Sequence, residues 1–228
     1  MSDSRQETSV DRSLEKRIEE LQKRASKDEL SGLLNRSTAE QYITARLDEL
    51  QKDEMCALFI IDLDDFKRVN DTLGHIAGDQ AIKKSAQILS ALFRAKDIVG
   101  RLGGDEFIAF MSGSITEQEV RARAASICKE LQLMLGEEPS VDLTASVGVY
   151  LTGGVGHRFS SLYQSADLAL YKAKNGGKHS YCLKKGHDTA PQTESFHPVS
   201  AIPLTQLMEY MDGGVALLEM SEPIDIIY

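Results

Sequence analysis

The stretch that decides the fold is Ile98-Val-Gly-Arg-Leu-Gly-Gly-Asp-Glu-Phe-Ile-Ala-Phe-Met111. Its two apolar runs lie on either side of Gly103-Gly104, and glycine adopts the positive backbone angles of a tight turn at little cost. The pattern predicts a β-hairpin. It also places two acidic side chains, Asp105 and Glu106, directly after the turn.

A third acidic side chain follows another apolar run. Ala57-Leu-Phe-Ile-Ile61 has no polar residue and therefore predicts a strand buried on both faces. Asp62 comes directly after it. If this strand neighbours the hairpin, Asp62, Asp105 and Glu106 converge, and their repulsion raises their pKa values unless a cation is present. Hard oxygen ligands of this kind suit Mg²⁺ next to phosphate oxygens, and two such ions can activate a hydroxyl and stabilise a departing pyrophosphate.

The residues after Asp62 suggest further contacts to a phosphorylated ligand. Asp64 and Asp65 are interpreted as solvated turn residues. Exposed backbone N–H groups around 63–67 would suit phosphate oxygens. Lys67, Lys174 and Lys178 provide positive charge, although each taken alone fits a surface lysine.

Asn70 and Asp79 have the chemistry for a guanine edge. An ionised carboxylate accepts from the guanine N1–H and the exocyclic amine, which adenine does not offer together. Their spacing alone does not establish this role.

Periodic segments elsewhere predict a chain of alternating helices and strands. Helices are predicted over about 37–51, 116–135 and 159–173, with a further helical face from Asp79 to Phe93. Strands are predicted over 143–151, which alternates apolar and polar residues, and over 179–183.

Composition limits the class of protein. The 228 residues (25.2 kDa) carry a formal charge of −9 and a pI near 5.1, which argues against a nucleic-acid polymer or an anionic membrane surface as partner.

No apolar run approaches the roughly 20 residues that cross a bilayer, and no signal peptide is recognisable. Three scattered cysteines lack the spacing of a metal site, so a cytoplasmic location is expected.

The ends of the chain differ from its middle. A charged helix is predicted over 10–30, with a heptad seam from Leu14 to Ala25, and it is either an ordinary capping helix or the end of a dimeric signalling stalk. A polar, proline-containing linker follows the middle region. The hydrophobic tail 201–228 is similar to the first strand pair of a PAS sensor domain, which would be truncated here.

The signature Arg101-Leu-Gly-Gly-Asp-Glu-Phe107 resembles that of the GGDEF family, the diguanylate cyclases. The likeness covers about residues 28–184. Five more motifs follow in the family's order: Asp28-Glu-Leu-Ser-Gly-Leu-Leu-Asn-Arg36, Phe59-Ile-Ile-Asp-Leu-Asp-Asp-Phe-Lys67, Asn70-Asp-Thr-Leu-Gly-His-Ile-Ala-Gly-Asp79, Thr144-Ala-Ser-Val-Gly148 and Ala166-Asp-Leu-Ala-Leu-Tyr-Lys-Ala-Lys174. The departures from the family pattern are Ser31 for Thr, Leu34 for Pro, Lys178 for Arg and His179 for Asn.

The resemblance implies a fold and a division of the chain. The fold is α+β (an α/β sandwich), palm-like as in nucleotidyl cyclases, with a central, mostly antiparallel five-stranded sheet flanked by helices. The implied division is a stalk over 1–27, a diguanylate cyclase domain over 28–184, a linker over 185–200 and the PAS-like tail.

The resemblance also implies an activity of bacterial signalling, the condensation of two GTP into cyclic di-GMP and two pyrophosphates across a homodimer. Two Mg²⁺ ions, or Mn²⁺, are expected as cofactors. The implied metal ligands are Asp62, the Leu63 carbonyl, Asp105 and Glu106. The implied catalytic residues are Asp105, Glu106 and Lys67, and it stays open which carboxylate deprotonates the ribose 3′-hydroxyl.

The substrate contacts implied by the resemblance fall into three sets. Gly103 and Gly104 let the backbone approach the nucleotide, and Asn70 and Asp79 read guanine. The β and γ phosphates are held by the remaining set, Phe66, Lys67, Lys174 and Lys178.

Arg94-Ala-Lys-Asp97 lies at the spacing of the family's inhibitory RxxD site. An arginine fork and a carboxylate suit the phosphate and guanine of the product, and the alternative is an ion pair at a helix end. Two other functions remain open: a catalytically silent cyclic di-GMP receptor that uses Arg94 and Asp97, and a cyclase of altered nucleotide choice.

Overall fold

The computed structural model describes residues 25–153 and 155–186. Most of the predicted stalk, most of the linker and the whole PAS-like tail lie outside the described residues. Of the described residues, no helix is both long and apolar enough to cross a membrane.

The described part of the chain contains seven strands and five longer helices. The strands are β1 (Leu34–Asn35), β2 (Met55–Asp64), β3 (Ile98–Gly103), β4 (Glu106–Gly113), β5 (Leu133–Leu135), β6 (Val141–Gly153) and β7 (Tyr181–Lys185). The helices are α1 (Arg36–Asp48), α2 (Phe66–Leu73), α3 (His75–Leu92), α4 (Glu117–Glu130) and α5 (Phe159–Asn175).

The strands form one mixed sheet in the order β1-β3-β4-β2-β6-β5, and β7 also pairs with β6. The β2–β4, β2–β6, β3–β4 and β5–β6 pairs are antiparallel, whereas the β1–β3 and β6–β7 pairs are parallel. The predicted α+β class and antiparallel-dominated sheet are confirmed. The strand number is not: the sheet has seven strands in the described residues instead of five, because the short strands β1 and β5 extend it.

Strand β2 lies in the middle of the sheet because it is apolar on both faces. Ala57, Phe59 and Ile61 contribute to the core under α2, α3 and α4. Cys56, Leu58 and Ile60 contribute to the core under α1 and α5. Successive strand residues point to opposite faces, so one apolar run supports two helical layers.

Helix α5 packs very closely against β6 at Gly148. A Cβ atom placed on Gly148 would overlap the Ala166 carbonyl oxygen and the Leu170 backbone nitrogen, and would lie 2.7 Å from the Leu170 Cα. Only a residue without a side chain allows this approach. The contact therefore sets the height of α5 above the sheet.

One predicted helix is too long, and one helix was missed. The helix predicted over 116–135 ends at Glu130, and Leu133–Leu135 is a strand paired with β6. Helix α2 was not predicted, and it begins after Asp65, whose backbone adopts the left-handed conformation (φ 55°). This turn directs the chain from the end of β2 across the sheet.

Candidate active site

Asp62 and Glu106 are register partners on the antiparallel strands β2 and β4. Asp105 lies in the turn before β4, and its carbonyl accepts a hydrogen bond from the Leu63 backbone N–H at 3.3 Å. The three predicted metal-binding carboxylates therefore belong to one end of the sheet. Strand pairing brings them together although 43 residues separate Asp62 from Asp105 in sequence.

The Asp62 carboxylate is buried and its partner is Lys174. The Lys174 Nζ lies 2.8 Å from Asp62 Oδ1, and Asp62 is 7% exposed. The pKa of Asp62 is raised to about 6, mainly by burial and also by the negative charges of Asp105 and Glu106, against the opposing effect of Lys174. The site therefore holds more negative charge than this one ammonium compensates.

The carboxylates do not form a closed ligand cage. Within residues 25–153 and 155–186, no group of three or more Asp, Glu, His or Cys side chains is arranged to hold a metal ion. Strand pairing thus places the three residues at one end of the sheet, but among the described residues their side chains do not meet around a common metal position, and the Asp62 carboxylate contacts Lys174 instead.

The glycine turn is open and is fixed by an arginine. Gly103 (φ 139°) and Gly104 (φ 53°) have nothing within 4 Å of an added Cβ atom. Arg101 donates to the Gly104 carbonyl from Nε (3.0 Å) and Nη2 (2.7 Å), and its Nη1 donates to Asp28 Oδ1 at 3.0 Å. Sequence reasoning gave no role to Arg101 or Asp28. The only signal was their presence in two of the quoted motifs.

Asp64 is not a solvated turn residue, and that interpretation was wrong. It is 4% exposed and accepts three hydrogen bonds. Ser146 Oγ donates to Oδ1 at 2.7 Å, whereas Thr144 Oγ1 (2.7 Å) and the His179 backbone N–H (3.1 Å) donate to Oδ2. The reason for the error is that β2 continues to Asp64 and that all three donors come from distant segments.

Asp65 is exposed, as predicted for a solvated turn residue. It also pairs with Lys178. The Lys178 Nζ donates to Asp65 Oδ1 at 2.7 Å, and this hydrogen bond is the main cause that raises the pKa of Lys178. Lys67, two residues after Asp65, is exposed, and Phe66 between them is half-buried. The structure thus places Lys178 beside the start of α2, where phosphate contacts were predicted.

The predicted guanine contacts lie where α2 and α3 meet. A Cβ atom on Gly78 would overlap the Asn70 side-chain oxygen and lie 3.2 Å from Phe66 Cζ. Asn70 is therefore held against the residue that precedes Asp79, and Asp79 itself is exposed. This brings the two residues to one region of the surface.

Arg94 and Asp97 line a cavity of about 520 Å³ together with Lys27 and Ser90. They do not pair with each other through their charged groups. The Asp97 carboxylate accepts from the Arg94 backbone N–H at 2.9 Å, and the Arg94 guanidinium lies 3.1 Å from Glu119 Oε1 on α4. The lining residues thus include one arginine, one lysine and one aspartate.

Curated proteins are similar to this chain in sequence. "Probable diguanylate cyclase DgcC" of Escherichia coli K12 is 38% identical over 160 residues, which are 70% of this chain and 43% of the relative. The chain thus spans less than half the length of this curated relative.

Solved structures show the same fold. A crystal structure of the coiled coil and GGDEF domain of DgcB from Caulobacter crescentus, in complex with c-di-GMP, matches with a TM-score of 0.69 at 26% identity. It covers 78% of this chain and 96% of that one. A sensory box/GGDEF family protein from Caulobacter crescentus CB15 matches with a TM-score of 0.61 at 34% identity, over 67% of this chain and 99% of that one.

The family model described as "Diguanylate cyclase, GGDEF domain" matches residues 25–180, which include the paired strands, the glycine turn and both lysines that contact the acidic residues. The chain therefore belongs to the GGDEF family.

Proposed function

We propose that this chain is a diguanylate cyclase that condenses two GTP molecules into cyclic di-GMP and releases two pyrophosphates. Each ribose 3′-oxygen forms a bond to the α-phosphorus of the other GTP. The bond between that phosphorus and the pyrophosphate oxygen breaks, and the hydroxyl proton passes to a carboxylate.

The observation that carries this proposal is the pairing of Asp62 with Glu106 at the end of adjacent strands, with Asp105 next to them. Like charges opposite each other in a sheet are destabilising, and Asp62 is buried as well. A stable fold has no need of this arrangement, whereas phosphoryl transfer does.

These oxygen donors fit Mg²⁺. Carboxylates and a carbonyl are the hard ligands that this ion prefers, usually with water and substrate phosphates completing the set. Asp62, the Leu63 carbonyl, Asp105 and Glu106 would hold it. When bound, it would polarise the phosphate oxygens and stabilise the charge of the leaving pyrophosphate.

The proton acceptor is Asp105 or Glu106, since both lie at the open turn while Asp62 is engaged by Lys174. Lys67, Lys174 and Lys178 supply positive charge for the β and γ phosphates, aided by the backbone at Phe66. This assignment rests on the placement of Lys178 beside α2.

Nucleotide choice follows from the surface shared by Asn70 and Asp79. A carboxylate can accept two hydrogen bonds from the guanine edge, and an amide can add a donor and an acceptor. The turn residues Gly103 and Gly104 leave room for the ribose and α-phosphate, since no protein atom lies within 4 Å of an added Cβ there.

One active site holds one GTP, so two copies of the chain must face each other. The decisive experiment incubates the protein with GTP and Mg²⁺ and measures cyclic di-GMP against protein concentration. A cyclase of this kind shows specific activity that rises with concentration and then levels off. The absence of product at concentrations where the chain is dimeric would remove the proposal.

The cavity lined by Arg94 and Asp97 favours a second candidate, a cyclic di-GMP receptor without catalysis. In the active enzyme the same cavity would bind product and inhibit turnover. Equilibrium binding of cyclic di-GMP without any turnover of GTP would decide for the receptor. Competition of GTP against ATP would test the cyclase of altered nucleotide choice.

A further inference from the structure

Asp64 is a buried carboxylate with no place in the proposed chemistry, although it lies two residues from Asp62. Its two oxygens are occupied by Ser146, Thr144 and the His179 backbone N–H. Two of these donors belong to β6, and the third belongs to the loop between α5 and β7. Asp64 therefore joins the end of β2 to a loop that lies 115 residues away.

That loop has an unfavourable backbone conformation. Lys178 (φ 60°) and His179 (φ 43°) both adopt positive φ angles, which side chains other than glycine rarely do. Such conformations persist only where the surroundings hold them. The hydrogen bond from the His179 N–H to Asp64 is a contact that holds this one, because it fixes the peptide plane between the two residues.

The same peptide carries Lys178, whose ammonium contacts Asp65 at 2.7 Å. The Lys178 and Asp65 side chains are 44% and 60% exposed, so their mutual attraction is weak and does not by itself order the lysine. The hydrogen bond from the His179 N–H to the buried Asp64 carboxylate acts instead on the backbone from which the lysine side chain extends.

We propose that Asp64 is a positioning residue for the phosphate end of the nucleotide, acting through the His179 N–H to place the Lys178 ammonium beside the start of α2. This inference rests on the proposed function. It assigns Asp64 a geometric role that differs from that of Asp62: the oxygen that accepts from His179 matters, and the negative charge does not.

The chemistry of the side chain makes this testable. In Asp64→Asn the amide oxygen can accept from the His179 N–H and from Thr144, while the amide nitrogen can donate to the Ser146 hydroxyl, since a hydroxyl both donates and accepts. Asp64→Ala leaves the His179 N–H without its acceptor. Asp64→Ser is a second truncation whose hydroxyl is too short to replace the carboxylate.

The probes are 3′-deoxy-GTP, which cannot condense, and GMP, which lacks the β and γ phosphates. Binding of each is measured by calorimetry with Mg²⁺, so that turnover is not the readout. We expect Asp64→Ala and Asp64→Ser to bind 3′-deoxy-GTP about five- to tenfold more weakly, because a charge-assisted contact is misplaced. GMP binding should change less than about twofold, and Asp64→Asn should bind both nucleotides as the wild type does.

A double-mutant cycle identifies the partner. If Asp64 acts through Lys178, Asp64→Ala adds no further loss of 3′-deoxy-GTP binding to Lys178→Ala. Asp142→Asn replaces an exposed carboxylate on β6 and is the matched control, with unchanged binding and an unchanged unfolding temperature.

Three results would overturn the inference alone: additive losses in the cycle, equal weakening of GMP and 3′-deoxy-GTP, or an Asp64→Asn variant as weak as a truncation. The Asp64→Asn result stands as a test even if both truncations unfold. A wild-type protein that binds neither nucleotide would overturn the proposed function, and this inference with it.

Discussion

Asp62 and Glu106 face each other across adjacent antiparallel strands, although strand pairing between like charges opposes folding. Lys174 relieves part of this repulsion through its contact with Asp62. The remaining negative charge is what makes this end of the sheet suited to a divalent cation and to the phosphates that accompany it. The consequences of this arrangement can be measured.

Replacement of Asp105 by alanine should remove turnover and leave the fold intact, because Asp105 is half-buried beside the exposed glycine turn and is not part of the core. Loss of a proposed base or metal ligand is expected to lower cyclic di-GMP production by about 100- to 10,000-fold. Product is measured by chromatography, and the fold by circular dichroism. Asp53→Ala, in the exposed turn before β2, should remain active, and an active Asp105→Ala variant would contradict the assignment.

The contribution of Asp62 to the stability of the chain without divalent cations should fall as the pH rises through the titration of Asp62. Burial raises the pKa of Asp62 from 3.8 to about 6, so between these values the folded chain binds more protons than the unfolded chain. The contribution of Asp62 to the free energy of unfolding therefore decreases with pH over this interval. Asp62→Asn cannot ionise, so its stability should lack this decrease and should rise relative to that of the wild type as the pH increases.

The measurement is the unfolding temperature of both proteins from about pH 4 to about pH 7. Asp65→Asn, which replaces an exposed carboxylate of the same acidic segment, is the control and should keep the wild-type slope. Identical slopes for wild type and Asp62→Asn would show that the pKa of Asp62 is not raised in the folded chain.

Arg101→Ala should destabilise the fold and reduce activity, because it leaves the Gly104 carbonyl and the half-buried Asp28 carboxylate without a shared donor. The expected loss is about 1–3 kcal/mol in the free energy of unfolding. Arg101→Lys should recover only part of it, since one ammonium cannot replace contacts that the guanidinium makes from three nitrogens.

Urea denaturation measures this loss. Arg46→Ala is the matched control, because Arg46 pairs with Glu49 on the surface, and such pairs contribute at most about 1 kcal/mol. If Arg101→Ala and Arg46→Ala lowered the free energy of unfolding equally, the hydrogen bonds by which Arg101 joins Asp28 to Gly104 would not stabilise the fold.

Arg94→Ala should relieve product inhibition and leave initial turnover unchanged. The guanidinium lines the cavity proposed for cyclic di-GMP and lies outside the acidic site. Its loss is expected to raise the inhibitory concentration of product on the order of tenfold. Arg121→Ala, which removes a comparable pair to Glu117 on α4, should be inhibited as the wild type is.

Much of the acidic site could be predicted because its residues lie next to strong local signals. Asp62 follows a continuous apolar run, and Asp105 and Glu106 follow a double glycine, so strand pairing was enough to bring them together. Asp64 could not be judged in this way. Its donors lie 80, 82 and 115 residues away, and nothing in the acidic segment indicates that they converge on it.

The errors in secondary structure have the same origin. Leu133–Leu135 continues the apolar spacing of α4, and this spacing favours a helix. In the structure these residues instead form backbone hydrogen bonds with β6 as a strand. Helix α2 is short, and its start depends on the left-handed backbone of Asp65. Both features are decided by tertiary contacts and not by periodicity.

Gly148 on β6 influences the distance between the Lys174 ammonium on α5 and the Asp62 carboxylate on β2. Lys174 follows Leu170 by one helical turn, and Leu170 is the residue whose backbone would meet a side chain at position 148. A single methyl group added to the sheet would lift α5 and separate the Lys174 ammonium from Asp62. The distance between the Lys174 ammonium and the Asp62 carboxylate thus depends on Gly148, an uncharged residue, because its lack of a side chain allows α5 to pack close to β6.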